Sequence, residues 1–162
     1  MLVGILSDSH GHVERTQAAV QVLTAAGAEV LIHCGDLADP EIVRVCGVRP
    51  LYYVLGNHDS DLVPSLEEAA RGVGGQSLGL GGVIELGGKR IGVTHGHLTR
   101  ERKQVEALRP DYLLSGHTHA AIDLVVDGIR RINPGALFRA SEFTVATLDL
   151  DEDRVQFHSV AR

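Results

Sequence analysis

Five short apolar runs along the chain predict buried β-strands. They occupy positions 2–6, 29–34, 51–55, 90–94 and 111–115. Each run is rich in Val, Ile or Leu and alternates little with polar residues, which is typical of strands covered on both faces. Helical patterns separate the early runs. The order strand, helix, strand therefore predicts a mainly parallel sheet with helices packed on it.

Four segments have the pattern of helices. They cover residues 13–27, 39–47, 60–72 and 99–109. In the second segment, Asp39 stands at the N-cap position and Pro40 at the first helical position, which favours the start of a helix. The first segment ends at Gly27, a typical C-terminal cap.

The second half of the chain has the pattern of antiparallel hairpins. Asp127 and Gly128 lie between two strand-like runs, which predicts a two-residue turn, and a second hairpin is expected to turn at 151–153. An α/β first half followed by hairpins predicts an α/β fold with two sheets packed face to face and helices outside. We expect a single domain over residues 1–162.

Composition narrows the classes of function. The chain has 162 residues, 44% of them apolar, a net charge of −6 and scattered arginines, which argues against a dedicated nucleic-acid surface. No apolar run approaches about eighteen residues and the start lacks a basic leader, so we expect no membrane span, no signal peptide and a cytoplasmic location. Cys34 and Cys46 are too few for a disulfide framework and are expected to be small buried residues.

Each of the five apolar runs is followed at once by side chains that can bind a metal ion. They are Asp8, His10, Asp36, Asn57, His95, His117 and His119. The carboxyl ends of parallel strands share one edge, where open α/β sheets place their ligand sites. Carboxylate, imidazole and amide groups form a mixed oxygen and nitrogen set. This set suits Mn, Fe, Zn, Ni or Co, with Mn²⁺ as the first expectation.

The number of donors favours two metal ions over one. Seven side chains exceed the needs of a single four-coordinate ion, but they suit two divalent ions that share a carboxylate, and Asp36 is the natural bridge. Gly35, Gly56 and Gly116 are expected where strands turn sharply and bring backbone close to the ions. A single His-x-His pair arises often by chance, whereas five such motifs at five strand ends are specific.

The motifs "DSH", "GDLAD", "GNHD", "HGH" and "GHTH", in this order, resemble the signature of the calcineurin-like metallophosphoesterases. The small size and the "NPG" near the end are similar to a compact bacterial and archaeal phosphodiesterase branch, which also includes Vps29-type retromer subunits. The resemblance covers residues 3 to about 140. It implies a four-layer sandwich of two mixed β-sheets flanked by α-helices. Where relatives often have Ser after "NPG", this chain has Ala136.

The resemblance also implies how the ligands divide between two metal sites. One site would comprise Asp8, His10, Asp36 and His119, and the other Asp36, Asn57, His95 and His117. Two ions about 3.5–4 Å apart would hold a bridging hydroxide for in-line attack on phosphorus.

His58 and Asp39 are the candidate catalytic residues beyond the ligands. His58 follows Asn57 directly and would protonate the leaving group or stabilise charge on the phosphoryl oxygens. The resemblance implies that Asp39 orients the His58 ring. A plain helix N-cap before Pro40 is an equally good interpretation of Asp39, and one carboxylate does not easily do both.

Other polar residues have simpler expected roles. His33 is expected to be hydrogen-bonded in the core, and His12 to be solvated at the start of the first helix. His97 either supports a metal ligand or is structural. Asp59 is expected to cap the helix after "GNHD", and Asn133 to shape a tight turn.

The favoured function is a metal-dependent phosphodiesterase that acts on small diesters, which could be nucleotide-derived. Arg139 is a candidate contact for substrate phosphate because a guanidinium matches phosphate geometry. The alternative is a Vps29-like interaction scaffold with weak or no catalysis, but the intact ligand set and His58 favour an enzyme. A repair nuclease would need a capping domain and a basic groove, which this short acidic chain lacks room for. Sheet edges and the apolar loop around Leu137 and Phe138 could support a homodimer.

Overall fold

The computed structural model describes residues 1–162 as eleven β-strands and four α-helices. The strands are β1 (Leu2–Leu6), β2 (Val30–His33), β3 (Leu51–Tyr53), β4 (Gln76–Ser77), β5 (Gly81–Leu86), β6 (Lys89–Thr94), β7 (Tyr112–Leu114), β8 (Ala121–Val126), β9 (Ile129–Pro134), β10 (Phe143–Asp149) and β11 (Arg154–Val160). The helices are α1 (Val13–Ala25), α2 (Pro40–Cys46), α3 (Val63–Val73) and α4 (Thr99–Ala107), with a 3₁₀ turn (Ser60–Leu62) before α3. None of the helices combines the length and the apolar character needed to cross a membrane.

The strands form two mixed sheets. The six-stranded sheet has the order β11-β10-β1-β2-β3-β4, with β1 to β4 parallel and β10 and β11 antiparallel to their neighbours. The five-stranded sheet has the order β5-β6-β7-β9-β8. Its three middle strands are parallel, and each edge strand is antiparallel to its neighbour.

The core lies in three apolar layers. The largest cluster joins α1, α2 and α3 to the outer face of the six-stranded sheet. A second cluster fills the space between the two sheets, with Ile5 and Ile32 from one sheet and Ile91 and Leu114 from the other. A small cluster packs Val105 of α4 on the outer face of the five-stranded sheet. The expected four-layer sandwich with helices outside both sheets is confirmed.

The local signals in the sequence also match the structure. At the start of α2, the Asp39 carboxylate accepts a hydrogen bond of 2.7 Å from the Glu41 N–H, and Pro40 occupies the first turn. Asp127 and Gly128 have φ values of +52° and +78°. Two successive positive φ values are typical of the two-residue turn that matches strand twist, and here this turn joins β8 to β9.

The five ligand-bearing loops divide between the two sheets. β1, β2 and β3 belong to the six-stranded sheet, whereas β6 and β7 belong to the other. Their carboxyl ends lie at the same end of the sandwich, where the His95 ring after β6 reaches the Cys34 carbonyl after β2. The loops therefore face one another across the interlayer core.

Candidate metal centre

Two buried aspartates form the centre of the site. The Asp8 side chain, after β1, is fully buried. Its Oδ2 accepts hydrogen bonds from the Ser7 hydroxyl (2.6 Å) and from the His117 N–H (3.1 Å). Its Oδ1 has no hydrogen-bond partner and lies 3.1 Å from His119 Nε2. Since a buried carboxylate oxygen without a partner is costly, Oδ1 is available to a cation.

Asp36, after β2, lies between two histidines from different loops. Its Oδ1 accepts a hydrogen bond of 2.9 Å from the His58 N–H. Its Oδ2 lies 3.3 Å from Nε2 of His10 and 3.3 Å from Nε2 of His95. One carboxylate therefore faces both halves of the ligand set.

Backbone carbonyls fix the orientation of two of the imidazoles. His95 Nδ1 lies 2.8 Å from the Cys34 carbonyl and His119 Nδ1 lies 3.4 Å from the Arg139 carbonyl. Because a carbonyl can only accept, Nδ1 carries a proton in each ring, and Nε2 has the lone pair whenever the ring is neutral. His95 Nε2 also lies 3.1 Å from the Asn57 Oδ1. Lone pairs that face one another in a buried site are compatible with a cation between them.

The donor atoms are close enough to share metal ions. Three groups of three have their ligand atoms within 4.8 Å of one another: Asp8, His10 and His119; Asp8, Asp36 and His95; and His10, Asp36 and His58. His10 Nε2 is buried without a hydrogen-bond partner, as is Asp8 Oδ1. The donor set, its spacing and these two orphaned atoms fit one or more divalent cations.

The protonation equilibria of the site are coupled. Burial disfavours the charged form of Asp36, but the imidazoles of His10 and His95 and the His58 N–H outweigh it and hold the pKa of Asp36 well below its ordinary value. Burial likewise opposes the charged form of His10, yet Asp36 and Asp8 raise the pKa of His10 to about 9. In the metal-free protein a proton therefore takes the place that a cation would occupy.

The backbone is strained in the ligand loops after β1, β2 and β7. Non-glycine residues with left-handed φ values between +45° and +68° are concentrated in the ligand loops: Asp8, His10, Asp36, Ala38, His117, His119 and Arg139. An L-residue pays roughly 1–3 kcal/mol for such a conformation, which is retained where the surroundings over-determine it, commonly at functional sites.

Three glycines allow the loops to approach the ligand side chains, as the sequence predicts. A Cβ on Gly56 would lie 2.1 Å from Asp36 Oδ1, and a Cβ on Gly116 would lie 2.0 Å from Ser7 Oγ. At Gly35, where φ is +101°, a Cβ would lie 2.6 Å from His95 Nδ1. No larger residue fits at these positions without displacing a ligand.

An open cavity of about 410 Å³ lies over the buried carboxylates. It is lined by His10, Asp36, Asn57, His58, His117, His119, Phe138 and Arg139. The Phe138 ring packs 4.5 Å from the His10 ring, and the Arg139 guanidinium carbon lies 5.0 Å from the Phe138 centroid. The structure thus gathers all seven predicted ligands at this end of the sandwich, with Asp8 and His95 beneath the cavity floor.

The two candidate catalytic residues have different surroundings. His58 is exposed on the cavity wall, with its ring centroid 4.9 Å from that of His10. Asp39 does not hydrogen-bond to His58, because its carboxylate caps α2 through the Glu41 N–H. The structure therefore shows the N-cap interpretation of Asp39 and lacks the orienting contact that the resemblance implies.

The prediction for Asp59 is wrong. Asp59 makes no side-chain cap of the following 3₁₀ turn. It is fully buried and its carboxylate accepts three backbone N–H groups, from Leu37 (3.2 Å), Ala38 (2.8 Å) and Gly56 (2.8 Å). The physical reason for this position is that the loops after β2 and β3 face each other with backbone N–H groups that need an acceptor. One carboxylate accepts all three hydrogen bonds. An Asp before a helical segment has the sequence pattern of a cap, and nothing in that pattern indicates a buried carboxylate between two loops.

The remaining polar residues follow the expectations or refine them. His33 is fully buried, with Nε2 2.8 Å from Ser9 Oγ and Nδ1 accepting the Gly35 N–H. Asn133 shapes the predicted turn through Gly135 N–H and also donates to the Gly116 carbonyl, which ties it to the "GHTH" loop.

The two histidines near the edge of the site differ in exposure. His12 is exposed and stacks on Phe138 at 5.2 Å. The His97 ring lies 5.3 Å from the His95 ring, a position compatible with either of its predicted roles. Sequence reasoning missed Ser7, which has no pattern to distinguish it from other strand-end serines.

The chain is a two-sheet α/β sandwich, and buried carboxylates and imidazoles lie together at one end of both sheets. This arrangement is typical of metal-dependent enzymes, so the chain is a candidate for that class. The model of the calcineurin-like phosphoesterase superfamily domain matches residues 1–153. The chain belongs to this superfamily.

Individual relatives agree with this assignment. A phosphodiesterase of Methanocaldococcus jannaschii is 25% identical over 142 residues, which cover 83% of each protein. The structure of an archaeal phosphodiesterase matches with a TM-score of 0.88 at 23% identity, over 98% of this chain and 99% of the other. A Vps29 of Entamoeba histolytica, solved in complex with zinc, matches with a TM-score of 0.61 at 19% identity, over 99% of this chain and 98% of the other. The two structures support the fold.

Proposed function

We propose that the protein is a metal-dependent phosphodiesterase whose site holds two divalent ions that share Asp36. The observation that carries the proposal is the position of Asp36 Oδ2, which is 3.3 Å from the Nε2 atoms of both His10 and His95. An oxygen placed equally between ligands of two loops suits a bridging role. Asp8 and His119 would complete one site, and the other would add Asn57 and His117.

Bound there, two divalent ions would activate a shared water for in-line attack on phosphorus and offset charge on the phosphoryl oxygens. The protein itself positions the ligands before any ion arrives. Carbonyls fix the His95 and His119 rings, and Ser7 and the His117 N–H fix Asp8. Such preorganisation places the cost of ordering the site in folding instead of in the reaction.

His58 and Arg139 are the groups that would contact substrate. His58 faces the cavity without a side-chain partner that would hold its ring, so it is free to donate a proton to a departing alkoxide. Arg139 forms no ion pair with an acidic residue and is exposed on the cavity wall. An unpaired guanidinium beside such a site suits a phosphoryl oxygen.

The cavity favours small substrates with little selectivity for the ester group. It is open and lies at the end of the sandwich with no inserted segment above it. The name of the Methanocaldococcus jannaschii relative supports phosphodiesters as the class. We expect small diesters, including nucleotide-derived ones, with Mn²⁺ as the first metal to test and Fe, Zn, Ni and Co as alternatives.

The test is hydrolysis of a chromogenic aryl phosphodiester with added Mn²⁺ and with chelator. We expect turnover in wild type only with metal and its loss in Asp36→Asn. With an alkyl diester, whose departing alkoxide needs a proton, we expect a decrease of about 10²–10⁴-fold in His58→Ala, as is typical for loss of a general acid. Asp61→Ala is the control, because Asp61 is exposed and outside the site. Absence of metal-stimulated turnover in wild type would favour the alternative, an interaction scaffold like Vps29.

A further inference from the structure

Strand β8 is an uncovered edge of the five-stranded sheet. Five of its six residues are exposed, and large apolar side chains lie on both of its faces. Ile122 is 36%, Leu124 43% and Val125 66% exposed. α4 packs beside β5 and β6 at the opposite side of this sheet, so no helix covers β8. An exposed apolar edge strand is a template for pairing with another strand.

The other three sheet edges are protected. β4 has only two residues, and β5 lies against α4. β11 carries Arg154, Gln156 and His158 along its length. Charged side chains and short strands are the usual protection against edge pairing, whereas β8 is six residues long and has Asp123 as its only charged residue.

The single charge on β8 is already neutralised within the chain. Asp123 forms a two-pronged ion pair with Arg130, with N–O distances of 2.8 and 2.9 Å. Arg130 is also 2.7 Å from a carboxylate oxygen of Asp153. β8 therefore presents no free charge that would repel a second strand.

The register of the β8–β9 hairpin determines which backbone groups are free. Val126 pairs with Ile129 across the two-residue turn, and the pair that closes such a turn is hydrogen-bonded. Alternate residues of β8 therefore bond to β9, and the N–H and C=O groups of Ala121, Asp123 and Val125 point to the free edge.

These free groups allow two long antiparallel registers between two copies of β8. One places Asp123 opposite Asp123 of the second copy, which is unfavourable. The other places Leu124 opposite Leu124 and Ile122 opposite Val126 of the second copy, and Asp123 opposite Val125. The second register forms apolar pairs on one face and opposes no like charges.

We propose that two copies of this chain associate through antiparallel pairing of β8 about a two-fold axis at Leu124, so that the two five-stranded sheets become continuous. The contact is self-complementary, as a two-fold interface requires. Pairing of one short strand buries less surface than a standard interface, so the dimer forms in the weak, concentration-dependent range. The proposal needs neither a metal ion nor catalysis and stands apart from the proposed function.

The first test is analytical ultracentrifugation of the full-length protein over a range of concentrations. Leu124→Lys places two like charges opposite each other at the axis, and we expect it to weaken dimerisation at least tenfold. Val48→Lys is the matched control, because Val48 is 55% exposed and lies outside β8, and it should dimerise like wild type. A monomeric wild type, or an unchanged dimer in Leu124→Lys, would overturn the proposal.

A second test determines the register and does not depend on a destabilising charge. Residues in a non-hydrogen-bonded antiparallel pair have Cα atoms about 4.5 Å apart, within the range of a disulfide. Under mild oxidation Leu124→Cys should form a disulfide-linked dimer, and Ile122→Cys should not. The native Cys34 and Cys46 are buried, so they should not form disulfides between two copies. Failure of Leu124→Cys to cross-link, or equal cross-linking of Ile122→Cys, would refute the interface.

Discussion

Asp59 offers the sharpest test of how the site is held together. Its fully buried carboxylate joins the loop that carries Asp36 to the loop that begins at Gly56, by accepting the N–H groups of Leu37, Ala38 and Gly56. Each buried donor left without a partner costs roughly 1–3 kcal/mol. Asp59→Ala therefore removes about 3–9 kcal/mol, a large part of the roughly 5–15 kcal/mol that stabilises a folded protein.

Asp59→Asn is the more informative variant because it is expected to fold. The amide keeps one oxygen, which can still accept from Leu37 and Gly56, since both donate to the same carboxylate oxygen. Its NH₂ group then faces the Ala38 N–H, so one of the three bonds is lost. We expect a decrease of about 1–3 kcal/mol in the free energy of unfolding.

The assay is urea denaturation of chelator-treated protein, followed by titration with Mn²⁺ by calorimetry. Asp61→Ala serves as the control, because Asp61 is exposed in the same 3₁₀ turn, and its unfolding free energy should change by less than about 0.5 kcal/mol. Asp59→Asn should also weaken metal binding, since the loss of one of the three bonds loosens the contact between the two loops that supply ligands. A stability within about 0.5 kcal/mol of wild type, or an unaltered metal affinity despite lower stability, would refute the reasoning.

Three further outcomes follow from the site. Gly56→Ala should weaken metal binding by displacing Asp36, whose Oδ1 would lie 2.1 Å from the new Cβ. The control is Gly72→Ala, because a Cβ on Gly72, in the last turn of α3, would meet nothing within 4 Å. This variant should stabilise the protein by up to about 1 kcal/mol. The pKa of His10 is raised from 6.5 to about 9, so its contribution to the stability of the metal-free protein is complete below pH 6.5 and is lost as the pH rises through about 9. Calorimetry in two buffers of different ionisation enthalpy should then detect proton release when metal binds below that pH, and no release would contradict the assignment of His10 as a ligand. Arg139→Ala should raise KM for a phosphodiester with metal affinity unchanged, and an equal KM would exclude a substrate contact.

Much of the fold follows from the chain because its apolar runs are continuous and clearly bounded. The predicted run at 2–6 is the strand Leu2–Leu6, and the run at 111–115 contains Tyr112–Leu114. Periodicity does not say which sheet a strand joins, so the division of the ligand loops between two sheets could not be derived from these runs alone. That division depends on long-range packing such as that of Ile5 and Ile91 in the interlayer cluster.

The sequence predicted which side chains the structure brings together at the candidate site, but it did not predict which other residues hold them in place. Motifs at strand ends point to Asp8 and Asp36 because carboxylates there need a partner. The left-handed backbone at these residues has only a weak sequence signal, since Asp adopts this conformation more often than most residues but still only in a small fraction of cases. The prediction for Asp59 was wrong for a related reason. An aspartate can accept backbone N–H groups at the start of a helix or between two facing loops, and the local sequence does not distinguish these two positions.

The combination of strain and unpartnered buried groups predicts that metal ions stabilise the folded protein. Left-handed backbone at His10 and His119 and the orphaned Oδ1 of Asp8 all raise the free energy of the metal-free state. A ligand that binds only the folded state stabilises it by about 2.7 kcal/mol at a hundred times its Kd, and two sites would contribute separately. Thermal unfolding should therefore shift upward with Mn²⁺ in wild type and by a smaller amount in Asp36→Asn, which weakens both sites if that carboxylate is shared. A shift in Asp36→Asn equal to that of wild type would show that Asp36 is no bridge, even if the protein still binds metal.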